Sequence, residues 1–371
     1  MKKQNKLVIT MFSILMGLLF GSIVLLISGI NPLEAYMVII KGSLGRPKYI
    51  SWVIIKAVPI IMTGISVAFA FKTGLFNIGA EGQYTMGAIG AVIAGVYLDL
   101  PPILHVLFVL IFGIIFGGIW GALVGYFKAK FKVHEVISSI MLNWIAFYFN
   151  NFILDFSWFR LPESESSYYI KESASIKLFQ NWKASEAGRE VIANNKLIKD
   201  ILSTPVNLGI VFAILVAFAM WYILKHTTTG YQLKAVGYNR DAAEYGGINI
   251  RKNIVFAMMI SGALSGLAGA LQVAGVSGNV FVLPSQLGYG FDGIAVSLIA
   301  GNSPIACIFS GLFYSALMYG GGKLNSALKT PSEIINIILG IIVLFISMPK
   351  IVSVFKEKLS NKKLQRGENN E

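Results

Sequence analysis

Long apolar runs separated by short polar turns recur along the whole chain. A helix that crosses a bilayer needs about 20 consecutive apolar residues, and ten runs approach or reach this length. The pattern therefore predicts an all-α polytopic membrane protein with about ten transmembrane helices. The ten runs are residues 7–29, 50–71, 75–97, 102–127, 134–155, 207–225, 253–275, 285–301, 303–321 and 331–349.

The basic residues favour one orientation of these helices, because the cytosolic side of a membrane protein is enriched in Lys and Arg. An even number of crossings places both termini on one side. That side also receives Lys72, residues 128–132, the stretch 225–252 and the tail 351–371. We therefore expect a multi-pass protein of the cell membrane with both termini in the cytosol. The exceptions fall in a predicted outer loop and are Lys41, Arg46 and Lys48.

One polar stretch interrupts the apolar pattern between the fifth and sixth predicted helices. Residues 156–206 are rich in Ser and Asn, but apolar positions at helical spacing recur within 178–182, 191–192 and 197–202. This spacing predicts a small ordered extracytoplasmic insert that seals the outer mouth or meets a delivery protein; the alternative is a tolerated loop insertion. The predicted division is helices one to five at 1–155, the insert at 156–206, helices six to ten at 207–350 with a cytosolic coupling loop at 226–252, and a cytosolic tail at 351–371.

The composition agrees with a membrane protein and argues against several other classes. Hydrophobic residues make up 55% of the 371 residues and charged residues 13%, against about 25% charged residues in soluble domains. The net charge is +13, but no basic and aromatic surface pattern accompanies it, so we expect no nucleic acid partner. Cys307 is the only cysteine, which excludes an intrachain disulfide, and the three histidines lack metal-ligand spacing. No metal site is predicted.

Two apolar runs are interrupted by glycines and an acid. The first is FKTGLFNIGAEGQY at 71–84, and the second is PSQLGYGFDG at 284–293. A charge near the bilayer centre costs at least about 2.5–3.5 kcal/mol, and a broken backbone is tolerated there only where protein buries it or a cavity adjoins it. Paired interruptions in two halves of a transporter mark its central site. Because the surrounding helix sets cross the membrane in opposite directions, we also predict an inverted repeat.

The cytosolic stretch between predicted helices six and seven carries the signals of a short helix. Asn239 suits the N-cap, Asp241 and Glu244 suit the positive end of the helix, and Gly246 suits its stop. A helix of two turns is marginal alone. We therefore expect either the underside of the membrane domain or another protein to hold it.

Three motifs resemble the permease subunits of ABC importers, in the superfamily of ribose, branched-chain amino acid and nucleoside permeases. They are FNIGAEGQ at 76–83, GYNRDAAEYGGINIRKN at 237–253 and SGALSGLAGAL at 261–271. The large outer insert and the EGQ form of the first motif are most similar to the nucleoside branch, of the guanosine and uridine type. The resemblance covers residues 7–350. It implies a transport subunit that carries nucleosides received from an extracytoplasmic substrate-binding lipoprotein.

The resemblance also implies partners. A second permease, identical or homologous, would pair with this chain, and a separate ABC ATPase subunit would use the ATP. No G-x-x-x-x-G-K-[ST] phosphate loop occurs in the sequence, so we expect no enzyme activity and no cofactor bound by this chain. By position in the motif, the residues that dock on the ATPase are Arg240, Asp241, Ala242, Glu244 and Gly247.

A nucleoside path needs flat aromatic surfaces for the base and a few amides or carboxylates for hydroxyls and base edges. The residues predicted to line it are Phe76, Asn77, Glu81, Gln83, Tyr84, Asn143, Trp144, Phe147 and Asp292. Several of these have structural alternatives. Asn77 and Gln83 suit the satisfaction of backbone groups at the break, Trp144 suits a lipid-facing or packing position, and both acids suit pairing with Lys56 or backbone N–H groups. The small residues at 261–270 indicate tight helix packing.

Alternative functions remain at this point. Simple sugars or branched-chain amino acids are the other substrates within the same mechanism. A transporter of a different class, an ion-coupled secondary transporter, would use Glu81 or Asp292 to carry a coupling proton and would not need the cytosolic stretch for an ATPase. A membrane enzyme is disfavoured, because no pair of nucleophile and base stands out in the sequence.

Overall fold

The computed structural model describes residues 3–329 and 333–347 of the chain, so the predicted tail 351–371 lies outside it. Within the described ranges the backbone forms sixteen α-helices and no strand longer than an isolated bridge. The predicted all-α fold is confirmed. The helices are α1 (Lys3–Ile27), α2 (Pro32–Leu44), α3 (Pro47–Lys72), α4 (Ala80–Tyr97), α5 (Pro102–Phe131), α6 (Glu135–Ile153), α7 (Gln180–Ala184), α8 (Glu186–Asn194), α9 (Lys196–Leu202), α10 (Gly209–His226), α11 (Thr228–Tyr238), α12 (Arg240–Tyr245), α13 (Ile250–Gln272), α14 (Tyr289–Ile299), α15 (Pro304–Leu328) and α16 (Glu333–Ser347).

Six of the described helices are long and apolar enough to cross a membrane, or seven crossings exist if the bent pair α1 and α2 counts as one. The chain is a polytopic membrane protein on this criterion, although the criterion gives fewer than ten crossings. α4 begins with the segment AEGQY, which contains Glu81 and Gln83, and α14 and α16 have only 11 and 15 residues. The six are α3, α5, α6, α10, α13 with the turn that follows it, and α15.

The described residues divide into two compact units, one drawn from residues 3–45, 316–329 and 333–347 and the other formed by residues 46–315. In the first unit α1 packs against α16, where the rings of Phe20 and Phe345 lie 4.9 Å apart. Gly21 on α1 admits Ile338 of α16, because a Cβ there would lie 3.1 Å from the Ile338 side chain. The described part of this unit is therefore built on an apolar helix pair.

The helix α2 corrects one prediction. The sequence pattern predicts an outer loop around Lys41, but Lys41 lies in α2, which is bent by 115° from the segment Ile14–Ile27. Asn31 is its N-cap and accepts a hydrogen bond from Leu33 N–H at 3.1 Å, and Pro32 occupies the first helical position. An Asn-Pro pair of this kind is a helix-start signal, so the sequence held the information.

The core of the second unit is a contact between helices lined with glycine. Gly113, Gly117 and Gly121 recur every four residues on α5 and face Gly262 and Gly266 of α13. A Cβ on Gly117 would lie 2.5 Å from the Gly262 carbonyl oxygen. Small residues at this spacing let two backbones approach closely. The prediction that residues 261–270 serve helix packing is confirmed.

The insert at residues 156–206, called the cap below, is ordered and partly helical. It contains α7, α8 and α9, of which α8 and α9 begin at the N-caps Ser185 and Asn195. Antiparallel bridges tie it to other parts of the unit, joining Ser166 to Phe281 and Lys177 to Asn207. Near the end of α4, Lys171 forms an ion pair with Asp99 and lowers the pKa of this carboxyl by a hydrogen bond and by its charge.

Both interrupted runs are broken in the structure, although each helix begins later than predicted. α3 ends at Lys72 and α4 begins at Ala80, five residues beyond the predicted start. α13 continues into a π-helical turn at Val273–Ser277, and a connection at 278–288 then leads to α14. α14 begins at Tyr289 and has about three turns, too few to cross a bilayer.

Candidate functional site

A reciprocal pair of amides holds the break between α3 and α4. Asn77 Nδ2 donates to Gln83 Oε1 at 2.7 Å, and Gln83 Nε2 donates back to Asn77 Oδ1 at 3.1 Å. Asn77 Oδ1 also accepts from Gly79 N–H at 3.0 Å, and Asn77 Nδ2 donates to Ser261 Oγ on α13 at 2.7 Å. Both amides are fully buried. Their hydrogen-bonding groups are therefore occupied within the chain.

A third amide fixes the same break from the neighbouring helix α6. Asn143 Nδ2 donates to the Ile78 carbonyl oxygen at 3.0 Å, and Asn143 Oδ1 accepts from Gly82 N–H at 2.9 Å. Gly82 lies in the first turn of α4, where backbone N–H groups have no partner within the helix. Asn143 thus caps α4 from outside its own chain segment. Its carboxamide supports the break and is not free to meet a ligand in this conformation.

Glu81 joins the two interrupted segments. Its Oε1 accepts from Gly288 N–H at 2.7 Å and its Oε2 accepts from Gly290 N–H at 2.6 Å, at the start of α14. The side chain is almost completely buried. The N-terminus of a helix carries unpartnered donors and a partial positive charge, so a carboxylate is favourable there. Glu81 is therefore paired with backbone N–H groups, one of the alternatives that the sequence left open.

The second acid belongs to the same helix end. Asp292 lies in the first turn of α14, and its Oδ1 accepts from the Tyr314 hydroxyl at 2.7 Å. Thr63 on α3 donates to the Tyr289 carbonyl oxygen at 2.8 Å. The fold thus brings both predicted acids to the N-terminus of α14, which is tied to α3, α4 and α15.

A cavity of about 230 Å³ adjoins this helix end. Its walls come from α4, α6, the end of α13 and the connection that precedes α14. The rings of Tyr84 and Tyr289 face each other at 5.2 Å between centroids, tilted by 41°. The polar side chains in the walls are Thr85, Asn150, Gln272, Ser277 and Asn279, and the apolar ones include Phe281, Leu283 and Leu287.

The predicted path residues separate into groups. Tyr84 lines the cavity, and Glu81 and Asp292 lie at the helix end beside it. Phe76 packs on Phe71 with centroids 4.9 Å apart. Trp144 is 46% exposed and contacts two neighbours on its own helix, Phe147 and Tyr148.

Sequence reasoning missed Asn150, Gln272 and Tyr289 as cavity residues. A signal existed for the two amides, because each is a polar side chain near the C-terminal end of an apolar helix. For Tyr289 the signal was weaker. It follows Gly288 in the second interrupted segment, but nothing in the sequence says that its ring meets Tyr84.

The predicted short cytosolic-stretch helix is confirmed as α12, which contains four of the five predicted docking residues. Asn239 is its N-cap and accepts from Ala242 N–H at 3.1 Å. The five predicted docking residues are all exposed, and Gly247 after the helix has a φ of +78° that favours glycine. Two tyrosines that the sequence analysis did not single out are among the most exposed side chains, Tyr238 at 89% and Tyr245 at 98%.

Comparisons with known proteins place this geometry in a family. Residues 49–347 match the family described as branched-chain amino acid transport system / permease component. The guanosine ABC transporter permease protein NupP of Bacillus subtilis is 35% identical over 97% of this chain and 99% of its own length. The nucleoside ABC transporter permease protein NupB of Lactococcus lactis is 33% identical over 96% of this chain and 94% of its own length.

The glucose ABC transporter permease protein TsgB13 of Haloferax volcanii is 27% identical over 90% of this chain and 85% of its own length. No solved structure matches the chain significantly. The family match covers most of the chain, including the break, α14, the cavity and α12. The chain therefore belongs to the family of branched-chain amino acid transport system permease components.

Proposed function

We propose that this chain is the membrane permease of an ATP-driven importer and that it carries nucleosides. The observation that carries the proposal is similarity over nearly the full length to two permeases named for guanosine and for nucleosides. Similarity to a glucose permease is lower and covers less of the chain. The chain itself would move its substrate without covalent chemistry and without a bound cofactor.

The cavity beside α14 fits this substrate class. An aromatic pair gives a flat apolar surface for a nucleobase, and aromatic rings prefer offset or tilted contacts with other rings. Gln272 offers a donor and an acceptor for base edges and ribose hydroxyls. Asn150 offers its carbonyl oxygen as an acceptor, because its Nδ2 donates to the Phe281 carbonyl oxygen and to Asn151 Oδ1. The volume of about 230 Å³ is below the range of about 300–1,000 Å³ that is usual for pockets of drug-sized ligands. A cavity of this volume suits a small ligand that binds weakly during transport and is then released.

The predicted path residues then serve two purposes in our proposal. Tyr84, Glu81 and Asp292 belong to the path, since they lie at the cavity or at the helix end beside it. Asn77, Gln83 and Asn143 act indirectly by holding the break. A role for Phe76, Trp144 and Phe147 in the path stays a prediction.

The surface at α12 is the proposed contact with a separate ABC ATPase subunit that binds and hydrolyses ATP. Its exposed residues include the predicted docking set Arg240, Asp241, Ala242, Glu244 and Gly247, to which we add Tyr238 and Tyr245. Tyrosine side chains are typical anchors of protein interfaces. Movement of the ATPase would shift α12 and switch the cavity between outward and inward access.

We further propose a second permease subunit and a substrate-binding lipoprotein on the outer side, with the cap as the place where the lipoprotein docks. The supporting feature is an ordered cap, tied by bridges to the connection that lines the cavity. Ten crossings, an inverted repeat and cytosolic termini complete the proposed topology. All ten predicted runs contain a helix, which supports the number, and α14, which is too short to cross alone, would cross together with the connection that precedes it. A thiol-reactive reagent that cannot cross membranes should label Tyr245→Cys only from the cytosolic side.

Sugar transport is the second candidate, because one relative is named for glucose. Competition for uptake separates the candidates. Cells with and without this chain are given labelled guanosine and an excess of unlabelled uridine, adenosine, ribose, glucose or leucine. We expect chain-dependent guanosine uptake that nucleosides reduce and the other compounds do not. Reduction by glucose or leucine alone would replace the nucleoside assignment with the corresponding substrate.

A further inference from the structure

A surface hollow lies apart from the cavity described above, on the surface that we assign to the cytosol. Its volume is about 630 Å³. One wall is the turn between α5 and α6, and the other is formed by the start of α12 and the start of α13. Its polar lining is almost entirely basic and comprises Lys128, Lys132, His134, Glu135, Arg240 and Arg251.

The positive charge of this hollow exceeds the negative charge that the chain supplies. Lys128 forms an ion pair with Glu135, the only carboxylate in the lining. Among the residues that the structure describes, no carboxylate lies within ion-pair distance of Lys132, Arg240 or Arg251. Three cations with no counter-charge repel one another across the hollow. An anion bound between them would remove that cost.

The N-terminal ends of two helices add to the positive electrostatic potential in the hollow. The hollow includes the first turn of α13, which begins at the N-cap Asn249 and contains Arg251 but no acidic residue. A cation at the N-terminus of a helix opposes the helix dipole, by about 0.3–1 kcal/mol at an exposed site. α6 also begins in the lining, at His134 and Glu135. The hollow therefore lies beside the N-terminal ends of two helices, whose partial positive charge adds to that of the lining guanidinium groups. A guanidinium group is a ligand that suits a phosphate oxygen.

The surface next to the hollow has the character of a membrane interface. Tyr126 and Phe131 near the end of α5 are exposed, and the Lys130 ammonium lies 5.2 Å and 5.5 Å from their ring centroids. Ile137 on α6 is exposed as well. Aromatic rings and long cationic side chains are enriched where acyl chains meet headgroups. The hollow thus borders the headgroup layer.

We propose that this hollow binds the phosphate group of an anionic phospholipid headgroup in the cytoplasmic leaflet, a placement that rests on the proposed orientation. Basic pockets between transmembrane helices on the cytoplasmic side are suited to such headgroups. The chain's own tail is a poor occupant, because residues 351–371 contain five basic and three acidic residues. Since Arg240 begins α12, a lipid held here would also steady the surface that meets the ATPase.

The test measures phosphatidylglycerol retained by the purified full-length chain in detergent, against phosphatidylcholine as the neutral lipid. The variant Lys132→Gln/Arg251→Gln removes two of the three unpaired cations. Its matched control, Lys196→Gln/Lys199→Gln, removes the same charge from the cap. We expect the hollow variant to lose about thirtyfold in affinity for phosphatidylglycerol, because each basic residue near an anionic lipid surface contributes about fivefold. The control should stay within about twofold of the parent.

Three results would overturn the proposal. Equal phosphatidylglycerol binding by the hollow variant and the parent would mean that the lipid binds elsewhere, and an equal loss in the control would mean that only net charge matters. Displacement of the lipid by millimolar inorganic phosphate would make a free anion the occupant. Unchanged lipid binding with weakened ATPase binding in the hollow variant would assign the hollow to an acidic side chain of the ATPase. None of these results bears on nucleoside uptake, so the two proposals fail independently.

Discussion

At the scale of single residues, the Glu81 carboxylate is the clearest case of a buried polar group with a structural partner. Both of its oxygens accept hydrogen bonds from the N-terminus of α14. A polar group buried without a partner costs about 1–3 kcal/mol. Removing this side chain would leave two donors, Gly288 N–H and Gly290 N–H, without their acceptor.

We therefore predict that Glu81→Ala lowers the free energy of unfolding by at least about 2 kcal/mol, and that Glu81→Gln lowers it less because one acceptor oxygen remains. The buried Cys307 is the only cysteine, so its reaction with a thiol dye on heating reports unfolding. The control is Asp99→Asn, since Asp99 is exposed. Equal unfolding temperatures for Glu81→Ala and the parent would show that the Glu81 carboxylate at the N-terminus of α14 contributes nothing to stability.

The cavity gives a second prediction at this scale. Gln272→Met keeps the size of the side chain and removes its amide, so we expect nucleoside transport to fall by about tenfold, the value of one hydrogen bond, with unchanged stability. Gln286→Met is the control, because Gln286 lies on the connection before α14 but outside the cavity lining. Initial uptake rates in the assembled importer decide the matter. Equal rates for the two variants would remove Gln272 from the path.

Some of these features of single residues could be predicted from the sequence, and others could not. The cost of burying Glu81 and Asp292 marks them as special without any structure. The sequence does not reveal the hydrogen-bond partner of each acid. The partners of Glu81 lie more than 200 positions away in the sequence, and the partner of Asp292 lies 22 positions away. Hydropathy contains no term for such contacts. The pairing of Tyr84 with Tyr289 was hidden for the same reason.

At the scale of helices, the interface between α5 and α13 depends on the absence of side chains. Gly117→Ala would place a Cβ 2.5 Å from backbone atoms of α13, whereas the adjacent Gly118 would have its nearest neighbour, the Ala263 Cβ, at 3.5 Å. We predict that Gly117→Ala destabilises the fold by about 1–3 kcal/mol through overpacking.

Gly118→Ala is the matched control on the same helix. It should be neutral or stabilising by up to about 1 kcal/mol, because alanine favours helix and ordinary contact distances are kept. The comparison uses the same thermal assay with the Cys307 thiol. If both variants unfold at the temperature of the parent, the close approach of α5 and α13 is not a determinant of stability.

The helix α12 carries a prediction about assembly. Tyr245 is almost fully exposed, so Tyr245→Ala should leave the stability of the permease unchanged. If α12 docks on the ATPase, the variant should bind the ATPase subunit about thirtyfold more weakly, the typical effect of losing an aromatic anchor of about 2 kcal/mol. Tyr169→Ala is the control, an exposed tyrosine in the cap. Equal ATPase affinity of both variants would place the docking surface elsewhere.

Helices were the best predicted feature of the fold, because apolar runs and capping residues are local signals. The caps Asn239, Ser185 and Asn195 start helices within or beside segments that the pattern marked. α2 was not predicted, because its 13 residues are too few for a spanning helix and hydropathy marks only runs of that length. The half-helix α14 was placed correctly but given excess length, since hydropathy does not register that residues 285–288 are not helical.

At the scale of the whole molecule, we propose a transporter in which the substrate cavity and the ATPase belong to separate subunits. In our proposal the cavity, α14 and Glu81 form the substrate side, while α12 offers a surface for an ATPase on a separate subunit. An ion-coupled carrier would need no such surface. The family was recognisable from three motifs, since FNIGAEGQ, GYNRDAAEYGGINIRKN and SGALSGLAGAL correspond to the break, α12 and the packing face of α13.

The most direct measurement is guanosine uptake into proteoliposomes that contain this chain with its partner permease, the ATPase and the substrate-binding lipoprotein. We expect guanosine uptake that requires ATP on the side of the membrane where α12 lies and that stops when the ATPase is omitted. An imposed proton gradient should not replace ATP. Guanosine uptake driven by a proton gradient in liposomes with this chain alone would contradict the account.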